Sequence, residues 1–491
     1  MSTSPLSRGA RGAGVTVVGQ IATIGIQFLS IVVLSRLLTP TDFGLVAMVV
    51  VFMGVGELLR DFGLPTAALQ ARSLSGQQAS NVFWATAALS LLAALLLVVS
   101  TPWIVELYDE PRLASIIPVM AAALVISGLQ AQYQVHLARA MRFTALAATA
   151  VVARFAGFIA GLTGAFLGWE YWALVAQLVV TAAATLLGNA IQARWLPSRP
   201  RRGHGSLDLF RSGGHFGAAQ VLSFGADNVD TLVIGSMWGA GPLGIYNRSF
   251  QLFMAPISAV LSPLTRVVVP TINRASEHAA EIGYAHSSAA VLLRLQTAVS
   301  GLTIWILLVT AATADWLVPL LLGDQWLSTV PIIQILALGG AIRALSQVNY
   351  WSYIVNQQSK QLFYSNLVTK PFQILLIIGG VFFGIEGVAW AFVVGRAVTW
   401  PINLVWLYRT AGQPWGVFLW NGLRLLGAGG LAFLFVNWTM HLIDLTSPLA
   451  TVILGTVFAT SSYVAAIAAT PGGLKEIRGA ASIARAVARR R

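Results

Sequence analysis

TDFGLVAM, residues 41–48, and GPLGIYNR, residues 241–248, stand 200 positions apart, and their correspondence decides the fold. Gly44 of the first aligns with Gly244 of the second. Each stretch follows an apolar run and lies in the short connection to the next one. A second register carries FLGWEYWALV (166–175) onto FFGIEGVAWA (382–391). There Phe166, Gly168, Glu170 and Ala173 recur as Phe382, Gly384, Glu386 and Ala389, all 216 residues further on. The same offset takes Leu129 to Leu345 and Arg154 to Lys370. Ordered matches at matching places are the mark of an internal repeat. They predict two six-helix lobes followed by two further helices.

Composition names the solvent for this fold. Of 491 residues, 57% are hydrophobic and 10% charged, and the mean hydropathy is +0.76. A soluble domain carries about 25% charged residues, so the chain reads as an all-α polytopic membrane protein. Cysteine is absent, which excludes disulfides, thiolate metal sites and a cysteine nucleophile. The histidines, His136, His204, His215, His278, His286 and His441, form no HExxH or HxH pattern. Neither a metal nor another cofactor is expected. Arg8 and Arg11 precede an apolar run from about Ala13 to Leu34. That run exceeds the h-region of about 7–15 residues in a cleaved signal peptide, so it reads as a first spanning helix.

A spanning helix needs about 20 mainly apolar residues. Fourteen such segments are expected, at about 13–35, 41–60, 79–101, 113–136, 145–167, 170–192, 213–237, 246–270, 288–311, 329–354, 362–384, 386–408, 417–441 and 448–470. The stretch DWLVPLLLGDQW (315–326) reads as a re-entrant or interfacial piece. Charge distribution supports the map. With the N-terminus inside, Arg139, Arg142, Arg194, Arg199, Arg201, Arg202, Lys360, Arg409 and the basic tail collect on the inner side. Glu106, Asp109, Glu110, Glu170, Asp315, Asp324, Glu386 and Asp444 collect outside. This is the positive-inside pattern, and it puts both termini in the cytoplasm. It also accounts for the net charge of +13 without nucleic acid. Only Arg36, Arg112 and Arg248 fall at the outer side. The expected organisation is a first lobe (1–193), a basic cytoplasmic linker (194–212), a second lobe (213–410), two extra helices (411–470) and a basic amphipathic tail (471–491). The tail lies on the anionic inner leaflet.

Ionisable groups inside the expected spans are the candidate site. Each costs at least about 2.5–3.5 kcal/mol at bilayer depth, and so faces a partner or a wet cavity. Arg154, Arg343, Lys370 and Arg396 outnumber Asp227 and Asp230. A cavity of net positive character follows, and its natural ligand is an anion. Arg154 and Lys370 are repeat-equivalent and are read as gripping a phosphate or pyrophosphate, Arg as a fork and Lys as a point charge. The competing reading ties each to carbonyls of a neighbouring helix or to the two aspartates. Asp227 and Asp230, at i and i+3, share a helix face and align with Gln27 and Ser30 of the first lobe. They are read as an ion-coupling site or as a counter-charge for Arg343 or Arg396. Arg424 is shallower and is expected to snorkel. Arg36 and Arg248 are read as outer gates or as snorkelling side chains. Arg60 and Asp61, in GELLRDFGLP (56–65), are read as an inner gate or a helix-end ion pair.

The segment GVTVVGQIATIGIQFLSIVVLSRLLTPTDFGLVAMV resembles the opening of the polysaccharide transporter family of the MOP flippase superfamily, especially its Wzx-type branch. ADNVDTLVIGSMWGAGPLGIYNRSFQL (226–252) and PLTRVVVPTINR (263–274) resemble the start and continuation of that family's second lobe. The likeness covers about residues 10–410. It implies a non-enzymatic flippase that exports a polyprenyl-diphosphate-linked oligosaccharide across a bacterial plasma membrane by alternating access. The product would serve capsule, exopolysaccharide or another surface glycan. The partners would be the lipid-linked glycan diphosphate, membrane lipids and a glycan polymerase and export complex.

The triplet Asp-Phe-Gly occurs twice, at Asp42–Gly44 and Asp61–Gly63. In protein kinases it holds magnesium, but the Gly-rich loop, strand lysine and HRD loop of a kinase are missing here. It is read as turn chemistry, with one copy at each end of the second helix. The rival functions are a cation-coupled multidrug antiporter, a membrane glycan ligase and an assembly scaffold. Surplus internal cations argue against the antiporter, and short outer loops argue against the ligase.

Overall fold

The computed structural model describes residues 5–61, 64–71, 74–201, 224–225, 227–254, 257–258, 287–356, 358–443, 447–476 and 478. Regular structure among them is helical throughout. A bilayer offers no hydrogen bonds to the backbone, so long apolar runs satisfy their amides internally as helices. The first lobe-like set comprises α1 (Pro5–Leu37), α2 (Pro40–Asp61), α3 (Leu64–Gln70), α4 (Gly76–Val99), α5 (Thr101–Tyr108), α6 (Leu113–Arg139), α7 (Phe143–Phe166) and α8 (Tyr171–Ala193). Helices α9 (227–238) and α10 (240–254) come next. After them come α11 (Ser287–Leu295), a π-helical turn (Gln296–Ser300), α12 (Gly301–Ala312), α13 (Ala314–Leu322) and a 3₁₀ turn (Asp324–Trp326). The chain continues through α14 (Thr329–Val355), α15 (Ser359–Gly380), α16 (Gly384–Ala411), α17 (Trp415–His441) and α18 (Pro448–Ala468).

Eleven stretches among the described residues are long and apolar enough to cross a membrane. One of them, Lys360–Thr410, holds both α15 and α16. Together they coincide with twelve of the fourteen expected spans. The other two, at 213–237 and 246–270, lie partly outside the described residues. Two boundaries differ from expectation. Helix α1 begins at Pro5, so Arg8 and Arg11 extend the helix beyond its apolar part, Thr16–Leu37. The piece at 315–326 is the nine-residue α13, about 14 Å long at 1.5 Å per residue, roughly half the hydrocarbon thickness. It ends at Gly323, and Trp326 follows fully buried.

The chain divides into two compact units, Met1–Gly244 and Ile245–Arg491. In the first, α1 packs on α7, α7 on α8, α8 on α6 and α6 on α4, while α2 touches α4, α6 and α8. In the second, α15 packs on α16, α16 on α14 and α14 on α12. The repeat equates α7, α8, α6 and α4 with α15, α16, α14 and α11–α12. The same order of neighbours therefore recurs in each unit. Helices α17 and α18 pack on each other and both touch α12.

The expected linker begins as a fixed strap. Gln77, Ser80, Asn81 and Trp84 lie at i, i+3, i+4 and i+7 on one face of α4. They hydrogen-bond the extended segment after α8. Gln77 Nε2 donates to the Arg199 carbonyl (2.9 Å) and Trp84 Nε1 to that of Ser198 (2.9 Å). The Ser198 amide donates to Ser80 Oγ (3.1 Å). Asn81 binds Arg201 twice, its Nδ2 to the carbonyl (2.8 Å) and its Oδ1 from the amide (3.0 Å). Trp195 anchors the start of the strap, stacked on His136 and edge-on to Phe83 and Tyr133. The rest of the expected linker, 202–212, and the tail from 479 onward lie outside the described residues.

Candidate functional site

The two repeat-equivalent turns come first, because they set where the helices cross. Thr39 precedes Pro40, the first residue of α2. Its amide and Oγ1 both donate to Asp42 Oδ2, at 2.8 and 2.7 Å. The Asp42 amide in turn faces Thr39 Oγ1 at 3.4 Å. This is a reciprocal capping box with proline at the first helical position. Asp42-Phe-Gly therefore lies in the first turn of α2, inside the helix rather than in the turn before it. Within the first unit, a Cβ on Gly44 would collide with the carbonyl oxygen of Ala240, at the start of α10. A Cβ on Gly244 would collide with the carbonyl oxygen of Pro40 and would lie 3.1 Å from the Gly44 nitrogen. The two aligned glycines thus let the two equivalent helix starts touch backbone to backbone.

Arg154 is the twelfth residue of the 24-residue α7, about 17 Å from either end. It is exposed from its unit, and its Nη1 donates to Gln27 Oε1 of α1 at 3.1 Å. Beside it Gln177 Nε2 of α8 donates to Ser30 Oγ at 2.8 Å. Three helices thus bring one cation and a row of neutral amides and hydroxyls to mid-span. Asp227 is exposed on α9, whereas Asp230 is buried, with Oδ1 accepting from the Thr231 amide at 2.8 Å.

In the second unit Lys370 and Arg396 are half-buried near the middle of α15 and α16. Pro371 follows Lys370 inside α15 and removes one backbone donor there. The Arg396 guanidinium lies 5.2 Å from the Phe392 ring centroid, and Arg343 Nη1 contacts Met254 Sδ at 3.5 Å.

Three of the expected residues are held by internal contacts. Arg248 does not snorkel: it is 4% exposed, donates to Gln251 Oε1 (3.0 Å) and sits 5.8 Å from the Trp326 ring centroid. An aromatic face substitutes for water around the guanidinium. Arg424 reaches the segment after α18: its Nη2 lies 2.8 Å from both Glu476 carboxylate oxygens and 2.9 Å from Asn421 Oδ1. Asn421 Nδ2 continues inward to Gln296 Oε1 (3.0 Å) in the π-helical turn. Arg60 is buried, its stem against Gly128 of α6. Asp61 is the last residue of α2, and Arg36 is exposed at the end of α1. Arg112, an exception to the outer-side pattern, is neutralised locally. Its Nε and Nη2 each lie 2.8 Å from an oxygen of Glu110, and this pairing holds the Glu110 carboxyl below the usual carboxylate range.

Sequence reasoning missed Gln27, Ser30 and Gln177 as polar neighbours of Arg154, although Gln27 and Ser30 were visible as the repeat partners of the aspartates. It also missed the Gln296–Asn421–Arg424–Glu476 chain, whose members are up to 180 residues apart.

The long apolar helices define a multi-pass membrane protein whose chain divides into two compact units. The chain belongs to the family described as polysaccharide biosynthesis protein, which it matches over residues 33–331, more than half its length. It is 23% identical over 409 residues to the lipopolysaccharide biosynthesis protein WzxC of Escherichia coli (strain K12), covering 79% of this chain and 78% of that protein. Among solved structures it shares the fold of the lipid II flippase MurJ in an inward closed conformation. The TM-score is 0.69 at 14% identity, over 92% of this chain and 97% of that one. It also shares the fold of an inward-facing multidrug resistance MATE family transporter of the MOP superfamily. There the TM-score is 0.57 at 14% identity, over 82% and 94% of the two chains.

Proposed function

We propose that the protein flips a polyprenyl-diphosphate-linked oligosaccharide from the inner to the outer leaflet of a bacterial plasma membrane, for surface polysaccharide synthesis. The reading rests on membership of the polysaccharide biosynthesis family and on one observation in particular. Arg154 stands at mid-span, exposed, with a neutral glutamine as its hydrogen-bond acceptor. A guanidinium held by a neutral partner keeps its charge available to an anion, and a diphosphate is the charge such a head group carries. Lys370, its repeat equivalent, supplies a second cation, with Arg343 and Arg396 as further positive groups. Asp227 and Asp230 serve as counter-charge or coupling groups. The same fold serves a multidrug transporter, so fold alone does not choose between cargoes; the surplus of internal cations favours an anionic one. Both termini are cytoplasmic in this reading, alternating access drives the exchange, and a glycan polymerase and export complex takes the product.

The test is reconstitution in vesicles with candidate lipid-linked glycans, with and without proton and sodium gradients. Replacing Arg154 by Glu, or Lys370 by Glu, removes a charge-assisted contact of about 1.5–3 kcal/mol and is expected to slow flipping roughly tenfold to a hundredfold. Arg154→Lys keeps the charge and retains more activity than Arg154→Gln. Wild-type rates in both Glu variants would sink the cationic-contact reading.

A further inference from the structure

The inner ends of α15 and α16 form a feature that the transport reading does not use. Gln358 Nε2 donates to the Thr410 carbonyl (2.8 Å), and Trp406 Nε1 donates to Gln361 Oε1 (3.1 Å). These bonds bring the start of α15 level with the end of α16. Between them lies an open groove of about 520 Å³, lined by Gln361 and by Ile402, Val405, Trp406, Arg409 and Thr410. Ile402, Val405, Trp406 and Arg409 follow i, i+3, i+4 and i+7, one face of α16. That face continues upward as an exposed apolar stripe of Trp390, Val394 and Val398. It is therefore a surface made for hydrocarbon, and it turns basic only at its last turn.

Among the described residues the charge at that turn has no internal answer. The side chains of Arg409 and of Lys360, beside Gln361, are exposed and make no hydrogen bond or ion pair among the described residues. The one acidic residue on α15 and α16 is Glu386, 23 positions from Arg409, or about 34 Å along the helix. Phe363, Tyr364 and Tyr408 are exposed at the same level, as interfacial aromatics are. An apolar channel that ends in two uncompensated cations at an interfacial belt is complementary to a phosphate with a chain attached.

We propose that this groove binds an anionic phospholipid of the bilayer, with the phosphate on Arg409 and Lys360 and an acyl chain along the Ile402–Val398 face. The experiment is native mass spectrometry of the full chain released from nanodiscs of mixed phosphatidylglycerol and phosphatidylcholine. Wild type is expected to retain phosphatidylglycerol in preference. R409Q and K360Q are each expected to lower that preference about fivefold, while K475Q, which removes another exposed lysine, leaves it unchanged. Ile402→Trp fills the groove and reduces retention of both lipids alike. A diazirine-bearing phosphatidylglycerol is expected to crosslink within 401–410 of the unmodified protein, so the proposal does not depend on any variant folding. An unchanged preference in R409Q, an equal loss in K475Q, or crosslinks confined elsewhere would overturn it. Displacement of phosphatidylglycerol by equimolar polyprenyl phosphate would overturn it too, by assigning the groove to the carrier lipid.

Discussion

At Asp42 a single carboxylate closes the start of a membrane helix. Its Oδ2 takes two hydrogen bonds from Thr39, and the residue faces back with its own amide. Removing it leaves helix-start donors without an acceptor where α2 is already buried on several sides. Asp42→Ala is expected to cost about 1 kcal/mol, seen as a lower thermal midpoint in detergent, with Asp42→Asn milder. No change in the alanine variant would mean that the box contributes nothing. The motif was legible in the chain as a turn, because Thr-Pro-x-Asp is local chemistry. Arg248 and Arg424 were not legible in the same way. Their partners, Trp326 and Glu476, lie 78 and 52 residues away, and no short-range pattern announces them.

Elements differ in how plainly they were written. The spans were readable because a bilayer demands about 20 apolar residues and internal satisfaction of every amide. The strap at 198–201 was not, since it is held by side chains of α4 donating to and accepting from an irregular backbone. Such bonding leaves no period of 3.6 or 2 in the strap itself; it appeared only as a basic Pro-containing stretch. Asn81 carries two of its bonds. Asn81→Ala is expected to raise amide hydrogen exchange at Arg201 roughly tenfold or more, given about 1 kcal/mol per bond lost. Exchange unchanged there would show that the strap is held without Asn81, by Trp195, Ser198 and the Gln77 bond to Arg199. The same strap keeps Arg199 and Arg201 at the end of the unit where Arg139 and Arg142 cap the carbonyls of α3 and α8. Several arginines counted as topology signals are thus also helix caps.

On the scale of the whole molecule, the repeat was the most legible feature. The offsets of 200 and 216 anticipated that the same neighbour order would recur in each unit. The absence of cysteine offers a clean test of orientation. Single cysteines at the exposed positions Glu106 and Arg199 are expected to react with an impermeant maleimide from outside the cell and only after permeabilisation, respectively. The reverse pattern would overturn the assignment of cytoplasmic termini. A repeated element leaves most positions of each copy free to change independently. Where the starts of α2 and α10 cross, they have no such freedom: a side chain acquired by either copy would strike the other's backbone. At this crossing neither copy can be rewritten alone.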